Sequence, residues 1–233
     1  MIRGFYSAAS SLVSQQVHLS AIANNIANSN TVGYKPQQAG FSSLLYKNLN
    51  GGAGNPISIG HGTKLNKLGI DFSQGNLKKT DMKYDCAILG SGFFAVKNKE
   101  NDTITYTRDG SFKMGLDGNN SYLVNSSGDF VLDSSGNKIE LNEGFDSLKI
   151  GVFTFKNPYA LKLLGNNQFI DTEASGKAEI LSESKINVGY LESSAVQIAQ
   201  EMVNMIEASK AFSFGSKVIQ ATDEMEKTAN QLR

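Results

Sequence analysis

Apolar or small residues recur at Ile2, Phe5, Ala9, Leu12, Leu19, Ala23 and Ile26, with Gln16 filling the one polar slot. Steps that alternate three and four predict a helix with a heptad seam, not a strand. A helix with an apolar stripe needs a partner in water, and the far end of the chain offers one. Ser194-Ala195-Val196-Gln197 fits a capping box, the serine accepting from the third amide and the glutamine reaching back. A helix is expected from near Ser194 to Leu232, past the single Gly215, and would reach about 55 Å. Ile198, Met202, Met205 and Phe212 mark one stripe; Ala211, Phe214, Val218, Ala221, Met225 and Leu232 mark another. The seam changes side midway, so the helix is expected to bury more than one face, the second against neighbouring chains. An ordinary intramolecular hairpin is the competing reading. It leaves the shifted stripe unexplained.

The first seam runs into Asn24-Asn25-Ile26-Ala27-Asn28-Ser29-Asn30-Thr31-Val32-Gly33-Tyr34-Lys35. Asn and Gly tolerate left-handed angles, so the helix is expected to fray and stop here, with positive φ at Gly33. Pro36 pushes Lys35 to extended angles. Phe41, Leu44, Leu45 and Tyr46 are expected to form one or two helical turns, and Asn50 to Pro56 a flexible linker. The expected regions are 1–35 (N-terminal helix), 36–63 (extended hinge), 64–185 (central β domain) and 186–233 (C-terminal helix).

Within the central region, short apolar runs fall at 84–96, 104–108, 122–124, 130–132, 139–141 and 148–155. Turn clusters separate them at 117–120, 126–129 and 134–137. Short strands at a spacing of about ten residues predict a sandwich or small barrel of antiparallel strands. The fold class is therefore α+β: paired terminal helices in a coiled-coil-like domain, with a central all-β domain.

The chemistry-bearing residues are few. Lys plus Arg and Asp plus Glu both number 22, without runs of one sign, which argues against nucleic acid or an anionic membrane as partner. Cys86 is the single cysteine, so no intramolecular disulfide forms; in an apolar run it reads as a core residue. No stretch approaches the roughly 18 apolar residues of a membrane span, and no cleavable signal peptide is expected. His18 and His61 lack a third ligand for zinc, and Gly90-Ser91-Gly92 lacks the third glycine of a dinucleotide loop. Asp117 to Ser121 lacks the glycine and the terminal acid of a calcium loop. Scattered carboxylates offer no acid/base pair, so no catalytic, cofactor or metal site and no small-molecule substrate is expected.

Asn24-Asn25-Ile26-Ala27-Asn28 and Thr31-Val32-Gly33-Tyr34-Lys35 resemble the N-terminal signature of the bacterial flagellar basal-body rod and hook family. The resemblance continues through Ser73-Gln74-Gly75-Asn76-Leu77, Gly90-Ser91-Gly92-Phe93-Phe94 and Tyr106-Thr107-Arg108-Asp109-Gly110-Ser111-Phe112. It closes with Glu201 to Ile206, Lys210-Ala211-Phe212 and Asp223-Glu224-Met225. The Arg-Asp-Gly and Gly-x-Gly-Phe-Phe blocks resemble rod proteins of the distal or proximal-neighbour type more than hook proteins.

The resemblance implies a structural rod subunit, not an enzyme. It implies terminal helices packed into an inner tube with a β domain outside, export through the flagellar channel without a cleaved signal, helical polymerisation, and torque transmission. The expected partners are the chain itself, neighbouring rod and hook subunits and the export apparatus. The expected assembly interface comprises Leu12, Leu19, Asn24, Asn25, Ile26, Asn28 and Gly33, then Met202, Ile206, Phe212, Val218, Ala221, Met225 and Leu232. A hook subunit is the nearest alternative. A surface adhesin or fibre on a coiled-coil stalk is the alternative from another class.

Overall fold

A computed structural model of the chain describes residues 2–50, 56–99, 101–118, 120–141, 150–181 and 185–232. Residues 51–55 of the expected linker, Asn119 of the expected turn and the first two residues of the expected strand 148–155 lie outside them. Two compact units form: Met1–Ala27 with Gln37–Asp71 and Gln197–Arg233, and Asn28–Pro36 with Phe72–Val196.

In the first unit, α1 (Ile2–Ala27) precedes strands β1 (Gln37–Ser43), β2 (Lys47–Asn50), β3 (Pro56–Ile59) and β4 (Thr63–Ile70). β1 pairs antiparallel with β4, with a bulge at Gly40/Phe41, and β2 pairs with β3. The segment 36–63, read from sequence as a hinge, thus carries strands, and Phe41 lies in β1, not in a helical turn. A side chain sets this course. Asn25 donates Nδ2 to the Gln37 carbonyl and accepts the Gln37 amide, both at 2.9 Å, as a neighbouring strand would.

The long C-terminal helix of this unit spans Ile198–Gln231. It starts past the expected capping box: Gln197 is an extended cap without a side-chain bond, and Ser194 Oγ accepts only from the Val196 amide at 3.3 Å. Ser194-Ala195 is held elsewhere, because the Ala195 amide donates to the Tyr34 carbonyl at 3.1 Å. The two long helices run antiparallel, since Asn25 meets Glu201 and Leu12 meets Gly215.

Their seam is built from small residues. Ala8, Ser14, Ala21, Ile22 and Asn25 are buried on α1, Ala208 and Thr222 on the long helix. Gly215 stands one heptad from each of the last two, and a Cβ there would come within 2.9 Å of Leu12 Cδ2. Phe5 and Ala23, expected on the α1 seam, are exposed. Close approach over small side chains leaves the larger apolar ones outside.

The second unit contains β5 (Leu77–Lys79), β6 (Cys86–Leu89), β7 (Phe93–Lys97), β8 (Ile104–Thr107), β9 (Lys113–Asp117), β10 (Asn120–Val124) and β11 (Phe130–Val131). It continues with β12 (Val152–Thr154), β13 (Lys162–Gly165), β14 (Gln168–Ile170), β15 (Glu179–Ile180), β16 (Lys185–Val188) and β17 (Tyr190–Glu192), after which the long helix is named α2. The principal sheet runs β13-β14-β8-β7-β11-β10-β9, with β12 joining β7 to β15; β16 pairs β6 and β17 pairs β5.

β7 is covered on both faces, which is why it reads as a continuous apolar run. Phe94 and Val96 enter a core with Cys86, Ile88, Phe112, Leu123, Val131 and Val152. Phe93 points the other way and meets Phe72, Phe155 and Phe169 edge-on or tilted, with ring centroids 5.4–5.9 Å apart.

Gly110 lets two of these segments approach. The Cys86 amide donates to the Gly110 carbonyl at 3.0 Å, and a Cβ on Gly110 would stand 1.6 Å from the Cys86 carbonyl oxygen. Backbone must move to admit any side chain. We expect Gly110→Ala to destabilise the β unit by about 3 kcal/mol, the upper part of the overpacking range. Denaturant unfolding measures this, and an unchanged midpoint refutes the packing described.

Candidate functional site

The residues of the sequence signatures converge inside the β unit on one carboxylate. Glu192, last residue of β17, has a side chain only 1% exposed. Its Oε1 accepts from Lys35 Nζ at 2.6 Å and from the Gly75 amide at 2.8 Å; its Oε2 accepts from Arg108 Nη1 at 3.2 Å. Lys35 Nζ also donates to the Ser73 carbonyl at 2.6 Å, and Arg108 Nη2 to the Gly90 carbonyl at 2.9 Å. The guanidinium lies 5.5 Å from the Phe93 ring centroid. Burial pulls the Arg108 pKa down, and the Glu192 charge and hydrogen bond oppose it.

Glycines bring the backbone in. Gly33 has φ 65° and donates its amide to the Glu192 carbonyl at 2.7 Å. A Cβ on it would sit 2.6 Å from the Arg108 carbonyl carbon; one on Gly75 would sit 2.1 Å from the Ser193 carbonyl oxygen. The positive φ at Gly33 agrees with the sequence reading. Glu192 was not singled out there, because nothing local in Tyr190-Leu191-Glu192-Ser193 distinguishes a buried carboxylate from a solvated one. This cluster holds charges in fixed places.

The other chemistry-bearing residues are likewise engaged in structure. The Cys86 thiol is pushed up to about 12, mainly by burial and secondarily by the Asp85 charge, which suppresses the reactive thiolate. His18 packs edge-on against Phe41 at 5.2 Å, and the His61 Nδ1 lies 2.9 Å from the Leu45 carbonyl oxygen. Asp129 accepts from Asn125 and Gln168, each at 3.0 Å.

The helical unit presents a different surface. Of the expected interface residues, Asn25 is buried and donates to Glu201 Oε1 at 3.2 Å as well as binding Gln37. Leu12, Leu19 and Ile26 are half-buried, and Asn24 is exposed. In the β unit, Asn28 accepts from Thr31 Oγ1 at 3.1 Å, and Gly33 is buried at the ionic cluster. On α2 the pattern is uniform: Met202, Ile206, Phe212, Val218, Ala221, Met225 and Leu232 are all exposed. Met225 is 52% and Leu232 85% accessible.

These side chains form two stripes. Ile198, Met202, Met205 and Phe212 lie about a quarter turn to one side of the Ala208–Gly215–Thr222 seam. Phe214, Val218, Ala221 and Met225 lie about a quarter turn to the other. Both rows leave large apolar side chains exposed on α2.

Residues 5–35 match the family model for flagella basal body rod protein, residues 87–152 that for flagellar hook protein FlgE/F/G D1 domain, and residues 187–232 that for flagellar basal body rod FlgEFG protein C-terminal. The chain is 37% identical to the flagellar basal-body rod protein FlgG of Borreliella burgdorferi over 269 aligned positions, covering 100% of this chain and 99% of the relative. It is 32% identical to FlgG of Buchnera aphidicola (Schizaphis graminum), covering 100% of both chains. To FlgG of Bacillus subtilis it is 30% identical, covering 97% of both.

Removing the charge on Glu192 while keeping its shape leaves Lys35 and Arg108 buried without their counterion. We expect Glu192→Gln to cost about 3–5 kcal/mol, as breaking a buried pair does. Replacing all three charges by apolar residues (Lys35→Met, Arg108→Met, Glu192→Leu) is expected to recover a large part of that loss. Denaturation midpoints decide: a Glu192→Gln protein as stable as wild type contradicts the assignment.

Proposed function

We propose, from the premise that this chain belongs to the flagellar basal-body rod protein family, that it polymerises on itself through its terminal helices and meets neighbouring rod and hook subunits through the same elements. The chain is a structural subunit of the rod. Its work is packing and the transmission of torque, not a reaction. The observation that carries the reading is the inverted burial of α2: its small residues face α1, and its large apolar residues face outward.

Burying an aliphatic side chain is worth roughly 1.5–3 kcal/mol, so Val218, Ala221, Met225 and Leu232 together contribute several kcal/mol per contact. A contact between unlike surfaces whose rotation does not close generates an open helix, the symmetry an axial shaft needs. Export fits the same reading. No helix among the described residues is long and apolar enough to cross a membrane, and the chain travels through the flagellar export channel. The assembling parts are Met1–Ala27 and Gln197–Arg233, which share a unit with Gln37–Asp71, while Asn28–Pro36 and Phe72–Val196 make up the β domain.

Met225→Lys tests the polymer contact. A charge buried in the contact costs several kcal/mol at every repeat, while the β unit's thermal melting stays at the wild-type value. We expect cells making only this variant to export it yet build no rod, hook or filament. Full flagella on those cells would show that this face is not the contact.

A further inference from the structure

The chain passes between its two units four times, after Ala27, Pro36, Asp71 and Val196. Two of these passages bound the nine residues Asn28–Pro36, which leave the helical unit and return to it. So long a segment is not needed to join α1 to β1. Nine extended residues reach roughly 30 Å. Yet Asn25 and Gln37, on either side of the excursion, are bonded to each other twice at 2.9 Å. The excursion is a closed loop, and its length serves its tip.

Val32 to Lys35 lies outside any helix or strand, so no ladder holds it. Each residue is tied instead to a distant segment of the β unit. The Val32 carbonyl accepts from Asn167 Nδ2 at 2.8 Å, in the turn between β13 and β14. The Gly33 amide donates to the Glu192 carbonyl at 2.7 Å, and the Tyr34 carbonyl accepts from the Ala195 amide at 3.1 Å. The Lys35 ammonium donates to Glu192 Oε1 and to the Ser73 carbonyl, both at 2.6 Å. These partners come from three separate stretches of chain, so withdrawing the tip strains several bonds at once. The remaining passages are fastened at the same place. Asp71 leads directly to Ser73 and Gly75, which bond Lys35 and Glu192, and Val196 follows Glu192 by four residues.

We propose that Asn28–Pro36 is a latch, rooted in the helical unit at Asn25 and Gln37 and closed in the β unit by the Glu192 carboxylate. Pull on the helical unit then enters the β unit at this carboxylate and not at an exposed strand edge. This deepens the torque-transmission reading and rests on it for its purpose. The holding of the tip is tested on single free chains, where a failure of assembly plays no part.

The full-length chain is pulled in an optical trap between two introduced cysteines, with Cys86 retained because it is fully buried. Asn30→Cys with Leu116→Cys loads the tip, since Asn30 is exposed just before it and Leu116 is exposed on β9. Leu116→Cys with Ile180→Cys, exposed on β9 and β15, loads the sheet and bypasses the tip. Lys35→Met should lower the first rupture force about twofold in the tip geometry, because its two charge-assisted bonds roughly match those of Val32, Gly33 and Tyr34 together. The sheet geometry should be unchanged. Asn167→Gly keeps the left-handed backbone at φ 59° and removes the bond to Val32. It should lower the force by a smaller step, again in the tip geometry alone.

Equal weakening of both geometries by Lys35→Met would make the cluster a general stabiliser of the sheet and overturn the latch. An unchanged force in the tip geometry would overturn it too, since the tip would then not be held through Lys35. If the Lys35→Met protein does not fold, Asn167→Gly decides by the same two comparisons.

Discussion

A carboxylate withdrawn from water must be compensated by its neighbours, and in the β unit Glu192 is compensated by segments far apart in sequence. Lys35 comes from the stretch that follows α1, Gly75 precedes β5, and Arg108 follows β8. Each partner is held in turn: Lys35 by the Ser73 carbonyl, Arg108 by the Gly90 carbonyl and the Phe93 ring. Loss of the Glu192 charge strands both cations, because Lys35 and Arg108 each take their counterion from that one carboxylate. The glycines belong to the same device. Gly33 and Gly75 stand where a Cβ would strike backbone atoms, so the segments reach the carboxylate only without a side chain.

The helical unit follows the opposite rule. Its internal seam is narrow and small, closed by Ala208, Gly215 and Thr222 against α1, and strengthened by the Asn25 amide against Gln37 and Glu201. A seam of that kind holds two helices together and leaves most of the apolar surface of α2 in water. Such exposure is costly in a lone molecule, and in the polymer proposed above the same surface would supply the driving force for adding the next copy. On the proposed reading, one unit is complete by itself and the other is completed by assembly.

Much of this was legible in the sequence, because it depends on local chemistry. The change of stripe side along the last helix, the left-handed Gly33 and the α+β order all follow from spacing and residue type. The turn clusters were legible too, and Gly118, Gly128 and Gly136 adopt positive φ in them. What escaped depends on distant partners. Phe41, Leu44 and Leu45 have helical spacing, yet the Asn25 amide recruits Gln37 into strand geometry. Ser194 looks like a helix cap, yet Ala195 is claimed by the Tyr34 carbonyl, and the helix begins at Ile198. Glu192 and Lys35 lie 157 residues apart, and no periodicity links a surface-looking acid to its buried cation.

Amide hydrogen exchange, compared between the exported free subunit and the assembled rod, tests most directly the claim that one unit is complete and the other is not. The amides of Gly33 and Gly75, bonded to Glu192, should be strongly protected in both states. Those of α2 from Ile198 to Gln231 should exchange readily in the free subunit and become protected on assembly. Equal protection of α2 in the free chain would contradict the account, since the helix would then be stable without a neighbour to cover it.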